Sequence, residues 1–213
     1  MKLFVVDERK VPIQEPYVVR LSGWSIERYF SEAPESARWE FVRGEVIVYS
    51  PSTAEHQDLV GFFHVLLRVF CEARGYGKVF TGPAAVRLMP NVVREPDVFV
   101  VRPEDIPKAS GVPLEVIPLF VLEVVSHSTR AIDLGEKVQD YAEAGIPEYW
   151  AVDPEEKKVH LHLLERKGYR VKKVSLGKVE SRVIPGFWVE AGWLWRKPLP
   201  PISELLPGLL TSP

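Results

Sequence analysis

Two apolar runs in this chain each contain a carboxylate, and any fold must accommodate both. "LFVLEVVS", residues 119–126, carries Glu123 in its middle. "REPDVFVVR", residues 94–102, puts Asp97 at the mouth of the second run. Short apolar runs of this kind read as buried strands. An ionised carboxylate left alone in an apolar interior is strongly unfavourable. Compensation can come from a basic partner, a shifted pKa, a metal ion, or exposure at a strand end.

Strand alternation puts Glu123 on one face with Leu119, Val121 and Val125, and Asp97 on one face with Phe99 and Val101. If the two strands are neighbours, the carboxylates can meet. A pair that meets repels, and a hard divalent cation such as Mg²⁺ resolves the repulsion while taking oxygen ligands. The plain alternative is two strand-end carboxylates, one in a turn and one paired with an arginine.

The rest of the chain reads as one domain, residues 1–213, of mixed α/β type with a central sheet between helices. It has a short N-terminal extension and a Pro-rich C-terminal tail. Ser22 is placed to cap a short helix in "SGWSIERYF", and "WEFVRGEVIVYS" reads as a hairpin turning at Arg43-Gly44. A long helix follows, opened by Ser52 and Glu55 at capping-box spacing and stopped by Gly75. Its apolar face holds Leu59, Phe63, Leu66, Leu67 and Phe70. "GKVFTG", "AAVRLM", "PDVFVV" and "LFVLEVV" are strand-like, as are "EYWAVD", "KVHLHLLE" and "GYRVKKVSL".

Between those two sets lies a second helix, "TRAIDLGEKVQDYAEAG". With Leu134 at the centre of its inner face, Val138, Tyr141 and Gly145 stay near that line. Glu136, Asp140 and Glu143 point to solvent. Lys137 falls about 60° from the centre, on the flank of the buried stripe, where a lysine covers apolar surface with its stem or turns its ammonium to the sheet edge. The tail "RKPLPPISELLPGLLTSP" is expected to wrap the surface or a partner.

Composition removes several function classes. With 27 Lys+Arg against 29 Asp+Glu, net −2, there is no global attraction to polyanions, so any such site is local. A single cysteine, Cys71, excludes an internal disulfide and a cysteine-rich zinc site. No apolar run has membrane-helix length, and the start has no signal-peptide pattern; a soluble, cytoplasmic protein is expected. His127, His160 and His162 show no zinc-ligand spacing.

Taken together, "WEFVRGEVIVYSP", His56, "REPDVFVV", "VLEVVSHSTRAIDLGEKVQDYAEAGIPEYWAVDP" and "GYR" resemble the Uma-two family of restriction endonucleases. This family sits within the PD-(D/E)xK nuclease superfamily, and the resemblance runs from about Ser22 to Phe187. It implies a restriction-endonuclease-like core and a Mg²⁺-dependent phosphodiesterase site, with Mn²⁺ an acceptable substitute, acting on DNA. By position, Asp97 and Glu123 become metal ligands, with the Val124 carbonyl a further one. The short motif's lysine, two residues after the glutamate, is Val125 here, and Lys137 looks like its migrated replacement. Glu40 resembles the additional upstream acid; His56 and Tyr141 match auxiliary positions.

The residue types suit that chemistry: carboxylates hold a metal that acidifies water, and a lysine neutralises developing charge. Arg166, Lys167, Arg170, Lys172 and Lys173 form a basic run that reads either as a phosphate-tracking patch or as a solvated hairpin face. Cutting both strands of a duplex suggests a homodimer. The rival readings are a nuclease fold used for binding or assembly without turnover, and a nuclease acting on RNA.

Overall fold

The computed structural model describes residues 16–34 and 37–211. Residues 1–15, the expected N-terminal extension, lie outside that range. The elements run β1 (Val18–Ser22), α1 (Ile26–Glu32), β2 (Trp39–Val42), β3 (Glu45–Tyr49), α2 (Ala54–Arg74), β4 (Lys78–Thr81), β5 (Val86–Met89), β6 (Val92–Arg94), β7 (Val98–Val101) and β8 (Phe120–Val124). Then come α3 (Lys137–Glu143), β9 (Glu148–Asp153), β10 (Lys158–Glu165), β11 (Gly168–Val174), β12 (Lys178–Glu180), β13 (Trp188–Glu190) and α4 (Ile202–Leu210).

A six-stranded sheet in the order β11-β10-β9-β8-β7-β4 forms the centre. Its strands are antiparallel except for β8 and β9, which run parallel. Parallel neighbours need a crossover. Here the crossover carries α3 over the sheet face, directly above Glu123. On the opposite face lies α2, whose Leu59, Phe63, Leu66, Leu67 and Phe70 pack with Val98, Val100, Phe120, Leu122 and Val124. On the α3 side, Phe99, Val101, Val121 and Val125 pack with Tyr141 and Tyr149. The alternation predicted for both carboxylate-bearing strands therefore holds, except that Leu119, ahead of β8, packs with the α2 side. A second, antiparallel sheet, β1-β3-β2-β6-β5, stands beside this core.

Local chemistry sets several element ends. Arg43 at φ 49° and Gly44 at φ 92° make the tight turn between β2 and β3. Gly75 at φ 70° ends α2, as its sequence position predicts. The N-caps differ from expectation by a few residues. Ser25, not Ser22, caps α1 by accepting from the Arg28 N–H, because Ser22 is used in β1, opposite Glu45. Thr53, not the Ser52–Glu55 pair, caps α2 by accepting from the N–H of His56 at 3.2 Å.

The largest departure concerns the second helix. It begins with a π turn, Ile132–Glu136, before α3, which breaks the 3.6-residue period that placed its side chains. It is also covered twice, by the central sheet and by β2 and β6. Asp140, expected to face solvent, is 1% exposed, and Lys137, expected on a flank, is 0% exposed. The C-terminal tail lies along α2: Leu209, with Leu194 just ahead of the tail, joins the α2 core, and Arg74 donates to the Leu210 carbonyl.

Candidate active site

Asp97 enters the site from the short link between β6 and β7. Its Oδ2 accepts the N–H of Val124 at 2.8 Å, which ties the mouth of β7 to the end of β8. The same oxygen lies 3.2 Å from His56 Nε2. The Thr53 cap and the first turn of α2 hold that histidine in place. Asp97 Oδ1 faces Arg38 Nη1 at 2.9 Å.

Glu123 is supplied by β8 and is fully buried. Its Oε1 accepts from the Tyr141 hydroxyl at 2.5 Å and lies 2.7 Å from Lys137 Nζ. That ammonium contact is an ion pair without hydrogen-bond alignment. Glu123 Oε2 accepts from Arg38 Nη2 at 3.3 Å. Each carboxylate thus has one oxygen fixed by the fold and one turned toward the same guanidinium.

Lys137 also sits 3.1 Å from Asp133 Oδ1 and 3.6 Å from Glu40 Oε1. Glu40 is itself fully engaged. Its Oε2 takes the Tyr49 hydroxyl at 2.6 Å and Arg94 Nη1 at 2.7 Å, and its Oε1 takes the Glu95 N–H at 3.0 Å. Of the two roles open to Glu40, completing a metal shell or holding Lys137, this geometry fits the second.

The charges balance unevenly. Burial pushes the Asp97 carboxyl up, but Arg38 and His56 outweigh it and hold it well below the usual carboxylate range. Burial pushes Glu123 up to about 7; Lys137 opposes that shift, while Asp97 and Asp133 add to it. Burial works against the Lys137 ammonium as well, yet Glu123, Glu40 and Asp133 raise its pKa above the ordinary lysine value. The two partners respond differently because Lys137 faces three carboxylates, whereas burial and the like charges of Asp97 and Asp133 outweigh the two cations, Lys137 and Arg38, that Glu123 faces. Burial would raise Glu40, but Lys137 and Arg94 draw it down to about 2.

The donor set suits a hard divalent cation. Asp97 Oδ1 and Glu123 Oε2 face the two terminal nitrogens of one guanidinium, that of Arg38, and Mg²⁺ is commonly held by one or two carboxylates with water completing its shell. Among the described residues no three His, Cys, Asp or Glu side chains form a ready metal cluster, so an ion here would draw on these two carboxylates. Val124 follows Glu123 directly in the chain, and its N–H is already given to Asp97. A cavity of about 480 Å³, lined by Arg38, Tyr49, Gln57, Pro83 and Asp97 among others, opens this side of the site.

The structure brings together Asp97, Glu123, Lys137, Glu40, His56 and Tyr141. It does not bring the basic run to them. Lys173 lies on the cross-sheet row Glu123–Ala151–His160–Lys173, three strands away or ~14 Å. Arg170 is paired with Glu165 at 2.9 Å. Arg166 and Lys167 are exposed at the β10–β11 end, and Lys172 and Lys173 are exposed along β11, the edge strand. Lysines on an edge also discourage strand-to-strand aggregation.

Sequence reading missed Arg38, Asp133 and Arg94. The expectation of a carboxylate paired with an arginine pointed the right way without naming the residue. No pattern marks Arg38, which lies 85 residues from its partner Glu123.

Comparison with known proteins adds a family and a fold. The family model described as "Uma2: Putative restriction endonuclease" matches residues 26–193. No curated protein matches. A crystal structure of a "putative nuclease belonging to DUF820" from Anabaena variabilis superposes with a TM-score of 0.71 at 12% identity, covering 81% of this chain and 97% of that one. At that identity the likeness is one of fold, and it places the central sheet and its helices in the restriction-endonuclease-like class.

Proposed function

The chain belongs to the Uma2 family of restriction-endonuclease-like proteins, and from that membership and the site geometry we propose a metal-dependent endonuclease that hydrolyses DNA phosphodiester bonds. The observation that carries this reading is the convergence of Asp97 Oδ1 and Glu123 Oε2, from two paired strands, on one cationic group.

In this reading Asp97 and Glu123 hold Mg²⁺ or Mn²⁺, with the Val124 carbonyl a further candidate ligand. The bound ion supplies an acidified water and neutralises charge on the phosphoryl oxygens. Lys137 and Tyr141 fix Glu123 through Oε1, leaving its other oxygen facing Arg38. Lys137 also concentrates positive charge beside the position where negative charge grows. Glu40 steadies Lys137 from below while remaining bound to Arg94. His56 orients Asp97 through Oδ2, and the Val124 N–H does the same from the strand. The open cavity beside Arg38 and Asp97 provides the approach for a phosphate.

The test is incubation of pure protein with plasmid, linear duplex, single-stranded DNA and RNA, each with Mg²⁺, Mn²⁺ or EDTA. Metal-dependent cleavage of DNA is expected. Cleavage of RNA alone would move the substrate to RNA, and no cleavage of any substrate would leave a nuclease fold used for binding. We also propose a cytoplasmic homodimer, since two sites related by a two-fold axis cut both strands of a duplex. Light scattering that returns a single 24.2 kDa chain at micromolar concentration would exclude the dimer.

The described residues contain no helix long and apolar enough to cross a membrane.

A further inference from the structure

Arg38 takes the one position that both carboxylates leave open. Its two terminal nitrogens reach Asp97 Oδ1 at 2.9 Å and Glu123 Oε2 at 3.3 Å. The opposite oxygens, Asp97 Oδ2 and Glu123 Oε1, are held by Val124, His56, Tyr141 and Lys137. Removing the guanidinium would therefore leave two preset oxygens. Arg38 is also held less completely than a structural arginine. Its Nε is buried without a hydrogen-bond partner, its side chain is 20% exposed, and it borders the 480 Å³ cavity. Its remaining contacts are the Glu95 carbonyl at 3.0 Å and the Tyr49 ring at 4.8 Å.

We propose that Arg38 is an exchangeable cation: it and a divalent ion bind Asp97 Oδ1 and Glu123 Oε2 in turn, and the displaced guanidinium turns into the adjoining cavity, where it holds the substrate phosphate. The exchange keeps the buried carboxylates paired in both states, which avoids the cost of an uncompensated charge. A guanidinium suits the second task because its fork matches two phosphate oxygens. The exchange requires only metal binding; the phosphate contact rests on the nuclease reading above.

Isothermal titration of Mn²⁺, without substrate, into wild type and Arg38→Met separates the two. Loss of the competing cation should tighten Mn²⁺ binding by roughly tenfold, as removal of a competing state does. Equal or weaker binding overturns the exchange, as does wild type that binds no Mn²⁺. Should Arg38→Met fail to fold, the wild-type protein still decides. Its Arg38 Nε–Hε resonance, assigned with Arg38→Lys, should shift as Mg²⁺ is added. A resonance that stays fixed at saturating Mg²⁺ overturns the exchange. At saturating Mn²⁺, single-turnover cleavage by Arg38→Met should fall about a hundredfold despite its tighter metal binding. Cleavage at the wild-type rate overturns the phosphate role. If wild type itself cuts nothing, the nuclease reading fails while the titration still judges the exchange.

Discussion

Two arginines sit among buried carboxylates in this protein, and their surroundings differ in completeness. Arg94 is 0% exposed and spends every nitrogen. Its Nε and Nη2 donate to Asp140 Oδ2 at 2.9 and 2.6 Å, and its Nη1 donates to Glu40 Oε2 at 2.7 Å. Arg43 adds a further contact to Asp140 at 2.6 Å. This cluster pins α3 to β2 and β6. Arg38, by contrast, leaves Nε unpaired and faces a cavity. The carboxylates do not divide along the same line: Glu40 is drawn down to about 2 and Asp97, facing Arg38, is also held low, whereas burial pushes Glu123 up to about 7. The same residue types build a staple where every hydrogen-bonding group is matched and a site where one side is left open. Buried charge is expensive, and only the open cluster retains a geometry that another cation can take over.

That contrast can be broken from either side. The largest effect is expected at Asp97→Asn. The amide keeps the shape but loses the charge, and single-turnover cleavage should fall by at least about a thousandfold. Thermal melts should show a folded protein; a near wild-type rate would remove Asp97 from the mechanism. In the staple the loss should appear in stability. Arg94→Met leaves Glu40 and Asp140 buried without their main cation, which costs about 3–5 kcal/mol. Urea unfolding measures it, and a change below about 1 kcal/mol would mean that the cluster is dispensable.

Lys137 sits between the two clusters and should show both phenotypes. Sequence reading placed it on a helix flank, where alanine would leave the fold untouched. Its complete burial beside Glu123, Asp133 and Glu40 reverses that expectation. Lys137→Ala should destabilise the protein by about 2–3 kcal/mol and slow cleavage by about 10²–10³. A stable variant with normal turnover would reduce the residue to a spacer.

The smallest effect concerns pH. Glu95 bridges the clusters through its backbone, and burial, followed by Glu40, pushes its carboxyl up to about 8. A raised carboxyl favours the folded state while protonated. The contribution is full below the unfolded value near 4.5 and is lost as pH rises through about 8. Glu95→Gln stays neutral throughout, so it should melt with wild type at pH 4 and several degrees above it at pH 9. Parallel melting curves across that range would show that Glu95 is charged without penalty.

Local patterns identified much of this. Period two placed Asp97 with Phe99 and Glu123 with Val121, because side chains of a strand alternate whatever lies around them. The Arg43-Gly44 turn and the Gly75 stop depend on backbone conformations that few residues adopt. The apolar face of α2 followed from helical spacing. The carboxylates in apolar runs were also legible, but they were not sufficient. Glu148 and Asp153 are buried in β9 as well. One is held by Ser181 and the N–H groups of Arg182 and Val183, and the other by Arg130 in two contacts at 2.7 and 2.9 Å. A buried carboxylate alone therefore does not mark a site.

Tertiary structure decided which charges meet. Arg94 finds Asp140 across 46 residues, and Arg38 finds Glu123 across 85. No periodicity encodes such pairs, because they depend on how the crossover lays α3 over one sheet while a second sheet covers its other side. That double cover buried Asp140 and Lys137 against their helical pattern. The sequence determined the strands, the faces and the acids. The packing of two sheets around one short helix decided which acids are sealed by N–H donors and which retain an open side, because desolvation and pairing are set by neighbours in space.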